Sequence, residues 1–445
     1  MTETLNNTGQ ESLEPSKNIT DKELAEITGI SLEEAEQMSI GAQFYALVLH
    51  QYCNWPAGAE GDENYMCSIR ETKKIVTEEN ETGRSILDKN KNLILVDNGE
   101  SVSLKVDGRP LSILYRPFRG FRPLDNTTLN ATPEEHSKLC ALDAEKQDKE
   151  QKRLPFGLKE SIRGLEGVTT ERATRFLQEL TGISEVGKLD LDIMVNPFMI
   201  FDYHITAAAR EHQPQKSINI MFHLLNMSRQ LEMNGIFNPK DFNASMKNHA
   251  HGQLMPKKLP IFESLEDIWT DKRQLFEVID LEHIHDDVRV FVPNEGELHS
   301  TPVVVSGKNI FQVLEAYAKV QKRLYGNEDE KASVVYEYNE KTSEYTIAMI
   351  PRNKPHPDNF EVTIEFEENG ELVTEKHVVM CRFASAEEGG EIVANKRNDI
   401  DDPEHDLKLL LDPLRGPKII EAIYKAVNEE RASFMQRLKI PSKTA

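Results

Sequence analysis

Asn248-His249-Ala250-His251-Gly252-Gln253-Leu254-Met255 alternates two imidazoles and a carboxamide with small or apolar residues. On a strand, positions i, i+2 and i+4 point to one face, so His249, His251 and Gln253 form a single polar wall. Ser245 lies upstream of this wall, and Lys257 and Lys258 follow it. Hydroxyl, imidazole, amide and ammonium groups brought together in this way make a phosphate site. Eight of the 13 histidines lie between 204 and 299, so histidine chemistry belongs to this part of the chain.

The strand has a readable neighbourhood. Upstream, KSINIMFHLLNMSRQLEMNG is an amphipathic helix: Ile218, Met221, Phe222 and Leu225 follow the i, i+3, i+4, i+7 spacing, and Gly235 reads as its stop. Before the helix, residues 190–209 read as two strands broken at Asn196-Pro197, the second alternating through Phe198, Ile200, Tyr203 and Ile205. The order strand, strand, helix, strand, strand is an α+β unit. A second run has the same order: VRVFVP and TPVVVSG, the helix NIFQVLEAYAKVQKRLYG, then SVVYEYN and YTIAMIPR, with a last helix near 418–438. Residues 190–265 and 285–360 are therefore expected to be duplicated strand-helix-strand units within one sheet.

At the N-terminal side, residues 1–20 are polar and read as a disordered tail. Residues 21–105 combine a helical stretch, in which Ser31 and Glu34 fit a capping box, with β-like runs. The segments DNGE and VDGR are hairpin signals. Segments near 132–164 and 165–182 read as helical, and the charged run DAEKQDKEQKR as a solvated face.

Across all 445 residues, 53 Lys and Arg against 75 Asp and Glu give a net charge of −22. A surface so acidic lacks the basic footprint needed to wrap nucleic acid or to dock on anionic membranes. The four cysteines, spread from Cys53 to Cys381 with no CxxC, exclude a disulfide scaffold. With no leader pattern and no apolar run of about 18 residues, a cytoplasmic setting is the expectation, and a signal-less export route is compatible with it.

His249-Ala250-His251-Gly252-Gln253 resembles the His-x-His-x-Gln signature of the transferase and phosphorylase branch of the histidine triad superfamily. That branch holds galactose-1-phosphate uridylyltransferase, dinucleoside tetraphosphate phosphorylase and GDP-hexose phosphorylase. Further blocks match in order: Asn196-Pro197-Phe198 with Ile200-Phe201 and His204, then Glu211-His212 with Pro214-Gln215, then Asn243-Ala244-Ser245. In the second run, Tyr345, Ile350-Pro351-Arg352 and His356-Pro357 resemble the family's later block. The likeness spans about residues 110–430. It departs at Asn243, where the family usually has Gly, and at Gly252, where it has a bulkier residue.

The resemblance implies an α+β fold of duplicated histidine-triad-like half-units, with antiparallel sheet and packed helices. Its halves are residues 106–275, holding the catalytic motif, and 276–445. It implies a nucleotidyltransferase or phosphorylase acting on a nucleotide sugar or dinucleoside polyphosphate, with a phosphate or sugar phosphate as acceptor. His251 is then the nucleophile. A neutral imidazole needs no separate base if its other nitrogen stays protonated. His249 orients the site or ligates a metal, and Gln253 donates to a phosphate oxygen without delivering a proton. Asn196, Ser245, Lys257, Arg352 and Lys354 are the substrate-binding candidates.

No cofactor is required by this chemistry, although a zinc or magnesium ion has candidate ligands. Cys140 stands where relatives carry a zinc knuckle but lacks its partner, and His283-Ile284-His285 beside Asp286-Asp287 has chelating spacing, with solvated loop charge the weightier reading. Residues 1–105 match nothing in the family and are the candidate contact for a protein partner. The competing class is a non-catalytic nucleotide-binding or scaffold protein that retains the fold.

Overall fold

The computed structural model describes residues 21–38, 46, 101–106, 109–115, 191–195, 201, 204–209, 214–240, 250–256, 258–270, 276–278, 286–294, 297–326, 330–352, 359–380, 385–394 and 405–429. Two short helices lead, α1 (Asp21–Thr28) and α2 (Leu32–Gln37). Ser31 and Glu34 cap α2 reciprocally, so the capping box read from sequence is present. β1 (Ser101–Val106) and β2 (Arg109–Tyr115) pair antiparallel with Val106 opposite Arg109. Only Asp107 and Gly108 then separate the strands, as VDGR implies. The DNGE turn and the segments expected to be helical between 132 and 182 lie outside the described residues.

The site is carried by a nine-stranded, wholly antiparallel sheet. Its first strands are β3 (Leu191–Val195) and β4 (Ile205–Ala209), followed by helix α3 (Ser217–Leu231), β5 (Asn234–Phe237) and β6 (His251–Met255). After α4 (Pro260–Thr270) come β7 (Phe276–Val278), β8 (Val288–Pro293), β9 (Val303–Gly307), α5 (Ile310–Tyr325), β10 (Ala332–Asn339) and β11 (Glu344–Pro351). The spatial order is β3-β4-β6-β5-β10-β11-β9-β8-β7. Apart from β7, this order reads as strand, strand, last strand, third strand from either end. The α+β class is thus observed, and both runs share one sheet.

Sequence dictates these elements through burial. β9, Val303-Val304-Val305-Ser306-Gly307, is buried at every position, and an apolar run of this kind suits a strand covered on both faces. In α5, Ile310, Val313, Leu314, Tyr317, Val320 and Leu324 form a buried stripe. The Asn309 side chain caps its start by accepting from Phe311 N–H at 3.0 Å. α3 and α5 lie on the same face of the sheet, with Phe222 stacked on Phe311 at 5.5 Å. Leu24 and Ala35 of α1 and α2 join that same core. The opposite face packs Ile236, Met255, Val304, Val335, Ala348 and Ile350 against Leu259, Phe262 and Leu265 from the α4 region.

A second layer completes the chain. β12 (Asn359–Glu368) and β13 (Glu371–Met380) form a hairpin, followed by α6 (Ser385–Glu388), β14 (Glu391–Ala394), α7 (His405–Leu411) and α8 (Gly416–Glu429). Phe360, Val362, Ile364 and Phe366 pack on Ile419, Ile420, Ile423 and Val427. β14 returns to pair with β2 in parallel.

Three local expectations are corrected. Gly235 does not stop α3; Glu232, in left-handed conformation at φ 54°, ends it, and Gly235 lies inside β5. A Cβ there would meet the Tyr336 ring at 1.9 Å, so the glycine makes room for a neighbour. Of the strand expected from Phe198, Ile205–Ala209 is present, while Phe201 sits in a bend whose carbonyl accepts from His204 N–H; Phe198, Ile200 and Tyr203 lie outside the described residues. The last helix begins at Gly416.

Two buried groups make stability pH-dependent in opposite senses. Burial raises Glu337 to about 7, from 4.5, despite Lys258 and Lys341, with Glu266 adding to the rise. Burial lowers His223 from 6.5 to about 4. A raised carboxyl contributes fully below the unfolded value and loses that contribution as pH rises through about 7. A depressed histidine contributes above 6.5 and loses its part as pH falls through about 4. Glu337→Gln should therefore be more stable than the parent at pH 8, by up to roughly 3 kcal/mol, with the gain vanishing near pH 4.5. Urea unfolding across pH 4–8 checks this; in the variant His223 adds a fall in stability as pH drops below 6.5, opposite in sign to the effect of the buried Glu330 carboxyl.

Candidate active site

β6 places the motif. His251 and Gln253 alternate with Gly252 and Leu254, and Leu254 points into the core beneath α3. Gly252 faces that helix too, since a Cβ on it would meet the Leu224 side chain at 2.4 Å. The glycine at this position therefore answers to helix packing, on the face opposite His251. His251 and Gln253 share the other face with Met255.

Gln253 belongs to a row that crosses the sheet, Thr206–Gln253–Ile236–Val335–Ala348–Val304–Phe291. One step along the strands, His251 stands opposite Ala208 on one side. On its other side the β5–β6 ladder has ended, and a side chain takes over. Gln215 Oε1 accepts from His251 N–H at 2.8 Å, while Gln215 Nε2 donates to His251 C=O at 3.1 Å and to Asn238 C=O at 2.8 Å. This carboxamide stands in for a peptide group between two diverging strands, and His251 is left 3% exposed with its main chain fixed on both sides.

The same row continues through Ser333, which stands opposite Ile350. One step further, Arg352 N–H donates to Lys331 C=O at 2.6 Å, prolonging the ladder. Arg352 thus lies on the His251 face and at the His251 end of the sheet, and it is 1% exposed. Three strand spacings separate β6 from β11, roughly 14 Å.

Other candidates fall elsewhere. Lys258 lies beyond the far end of β6 and pairs with Glu266 of α4, which also accepts from Asn339 Nδ2 at 2.6 Å. His204 is buried ahead of β4, edge-on to Phe201 at 6.3 Å, and at the Leu254 end of β6 rather than the His251 end. His249, Asn196, Ser245, Lys257 and Lys354 lie outside the described residues, as do Asn243, His212, Cys140, His283 and His285. Among the described residues no three His, Cys, Asp or Glu side chains come together as a metal site. Nor is any described helix long and apolar enough to cross a membrane. Sequence reasoning placed Gln215 in a matching block without a role. Its position directly after Pro214 and before a helix was the available signal.

Comparison with known proteins adds the following. A family defined as a domain of unknown function (DUF4922) matches residues 180–256, the span from before β3 to the end of β6. No curated protein matches the chain. Among solved structures, the yeast Ap4A phosphorylase Apa2 is similar at 13% identity and a TM-score of 0.34, covering 73% of this chain and 86% of that one. A DUF4931 family protein from Bacillus cereus ATCC 10987 is similar at 13% identity and a TM-score of 0.25, covering 38% of this chain and 84% of that one.

The Gln215 clamp is open to test. Gln215→Leu removes three hydrogen bonds and strands buried peptide groups, so it should destabilise by about 3 kcal/mol in urea unfolding. Gln215→Glu, whose carboxylate would face two carbonyl oxygens without donating to either, should be destabilised at least as much at pH 8 and recover part of the loss as pH falls. Parental stability in Gln215→Leu would mean that water replaces the clamp.

Proposed function

We propose that the protein is a nucleotidyltransferase or phosphorylase that carries a nucleotide on His251. The observation supporting this most directly is the placement of His251: buried, with its backbone clamped by Gln215, and on the sheet face that also carries Gln253 and Arg352. In the first step a lone pair of the His251 ring attacks the α-phosphorus of a nucleotide sugar or dinucleoside polyphosphate. A P–N bond forms, the P–O bond to the leaving phosphate breaks, and that phosphate departs with the electron pair. In the second, an oxygen of phosphate or a sugar phosphate attacks the same phosphorus, and the P–N bond returns its electrons to the ring.

Gln253 suits such a leaving group, because its amide donates a hydrogen bond but supplies no proton. Arg352 supplies a planar cationic fork that matches phosphate oxygens. His249 orients the imidazole, and Asn196, Ser245, Lys257 and Lys354 complete the contacts to substrate. The two similar strand-helix-strand runs are copies of one histidine-triad-like half-unit, related across the β5–β10 pairing. Zinc or magnesium, if used, has His249 as its candidate ligand, and residues 1–105 meet a protein partner.

Incubation with the right donor labelled at the α-phosphate should leave acid-labile, base-stable label on the protein, and the acceptor should discharge it. His251→Ala should abolish labelling and turnover together, by at least a thousandfold, since no neighbouring group replaces the lone pair. A thermal-shift screen finds the donor first: at 100 times its dissociation constant a ligand stabilises by about 2.7 kcal/mol. Near-normal turnover in His251→Ala, or binding without label for every donor, would leave a nucleotide-binding protein in place of the enzyme.

A further inference from the structure

Ser333 is the second residue of β10, near the middle of the nine-stranded sheet, and it is 0% exposed. Its Oγ makes no hydrogen bond among the described residues. Such a hydroxyl costs stability where an alanine would cost none. It is also well placed. Ser333 alternates with Val335, whose side chain joins the Ile236, Val304 and Ala348 cluster, so its hydroxyl points to the His251 face. It lies opposite Ile350 and is therefore a diagonal neighbour of Arg352, roughly 7–8 Å away between Cα atoms. His251 lies two strand spacings to the other side, roughly 10 Å away.

We infer that Ser333 is a binding residue for the polyphosphate on the leaving side of the reaction, donating from Oγ to a non-reacting phosphate oxygen beside Arg352. The inference rests on the reading of His251 as the group attacked onto phosphorus. With the α-phosphorus at the His251 ring, the next phosphates would extend along the cross-strand row past Asn238 toward the Ser333–Arg352 pair. The neighbours of this row, Ile236, Val335 and Ile350, are apolar and buried. A hydrogen bond donated to an anion in such surroundings is worth more than one made in water. The hydroxyl thus trades a small loss in the free protein for a charge-assisted contact in the complex.

The experiment uses the full chain and inorganic tripolyphosphate, which needs no knowledge of base or sugar. Calorimetric titration should give saturable binding to the parent, about tenfold weaker binding to Ser333→Ala, and still weaker binding to Arg352→Ala. In the absence of ligand, Ser333→Ala should melt at or above the parent's midpoint, an outcome that a structural serine would not give. A lowered midpoint, unchanged affinity, or no tripolyphosphate binding by the parent overturns the inference. His251→Ala separates the two readings, because it should lose nucleotide labelling while retaining tripolyphosphate binding. Serine-dependent binding without any label would retire the transfer reaction and keep the phosphate site. Label with a silent Ser333→Ala would do the reverse.

Discussion

The pairing of β5 with β10 is the constraint on which the site depends. Only Gly235, Ile236 and Phe237 meet Tyr336, Val335 and Val334 there, yet this short ladder joins two four- and five-stranded runs into one sheet. Through it the cross-strand rows become continuous, which puts His251 and Arg352 on one face although 100 residues separate them in sequence. The seam is reinforced from inside. Tyr336 lies over Gly235 and donates its hydroxyl to Gln253 C=O at 3.0 Å, so the second run holds β6 of the first by its backbone.

On the helical face a buried knot does the same work. Glu330, two residues before β10, accepts from Ser217 N–H at 2.8 Å and from Ser217 Oγ at 2.6 Å, capping α3, whose N-cap Lys216 offers no side-chain bond of its own. Tyr317 and Gln321 of α5 donate to the same carboxyl group, at 3.2 and 2.7 Å. Burial pushes the Glu330 carboxyl above its ordinary range, and the hydrogen bonds from Ser217, Tyr317 and Gln321 pull against that rise. Such a network is favourable only while every member stays paired. It therefore ties the start of α3, and with it Pro214-Gln215 and the clamp on His251, to α5.

Sequence made the local pattern legible and left long-range contacts hidden. The α3 and α5 stripes, the Ser31–Glu34 box and the run Val303-Val304-Val305 are periodic or capped signals that act over a few residues. Gly235 was misread because its reason is Tyr336, a residue 101 positions away that no local window contains. The β14–β2 pairing is hidden in the same way. The β12–β13 hairpin was missed despite a strong signal: Asn369 and Gly370, at φ 54° and 83°, join strands whose inner face alternates Phe360, Val362, Ile364 and Phe366. At the site, the motif placed His251 and Gln253 on one face, but the role of Gln215 required the point where β5 and β6 part.

The two runs repeat an order of elements without repeating a chemistry. On the face that carries His251 and Gln253 in β6, β11 presents Thr346, Ala348 and Ile350. No imidazole stands among these residues of β11. What the second run contributes to that face is a cation at Arg352, beyond the end of its strand, and a buried hydroxyl at Ser333. A nucleophile that attacks a phosphorus must be approached by anions, and a neutral imidazole attracts none of them. In the proposed transfer, the charge at Arg352 stands three strands from the imidazole and serves the far end of the anion rather than the phosphorus under attack. The distance between the two then sets the length of anion that can reach both, and the continuity of the sheet across β5 and β10 holds that distance fixed.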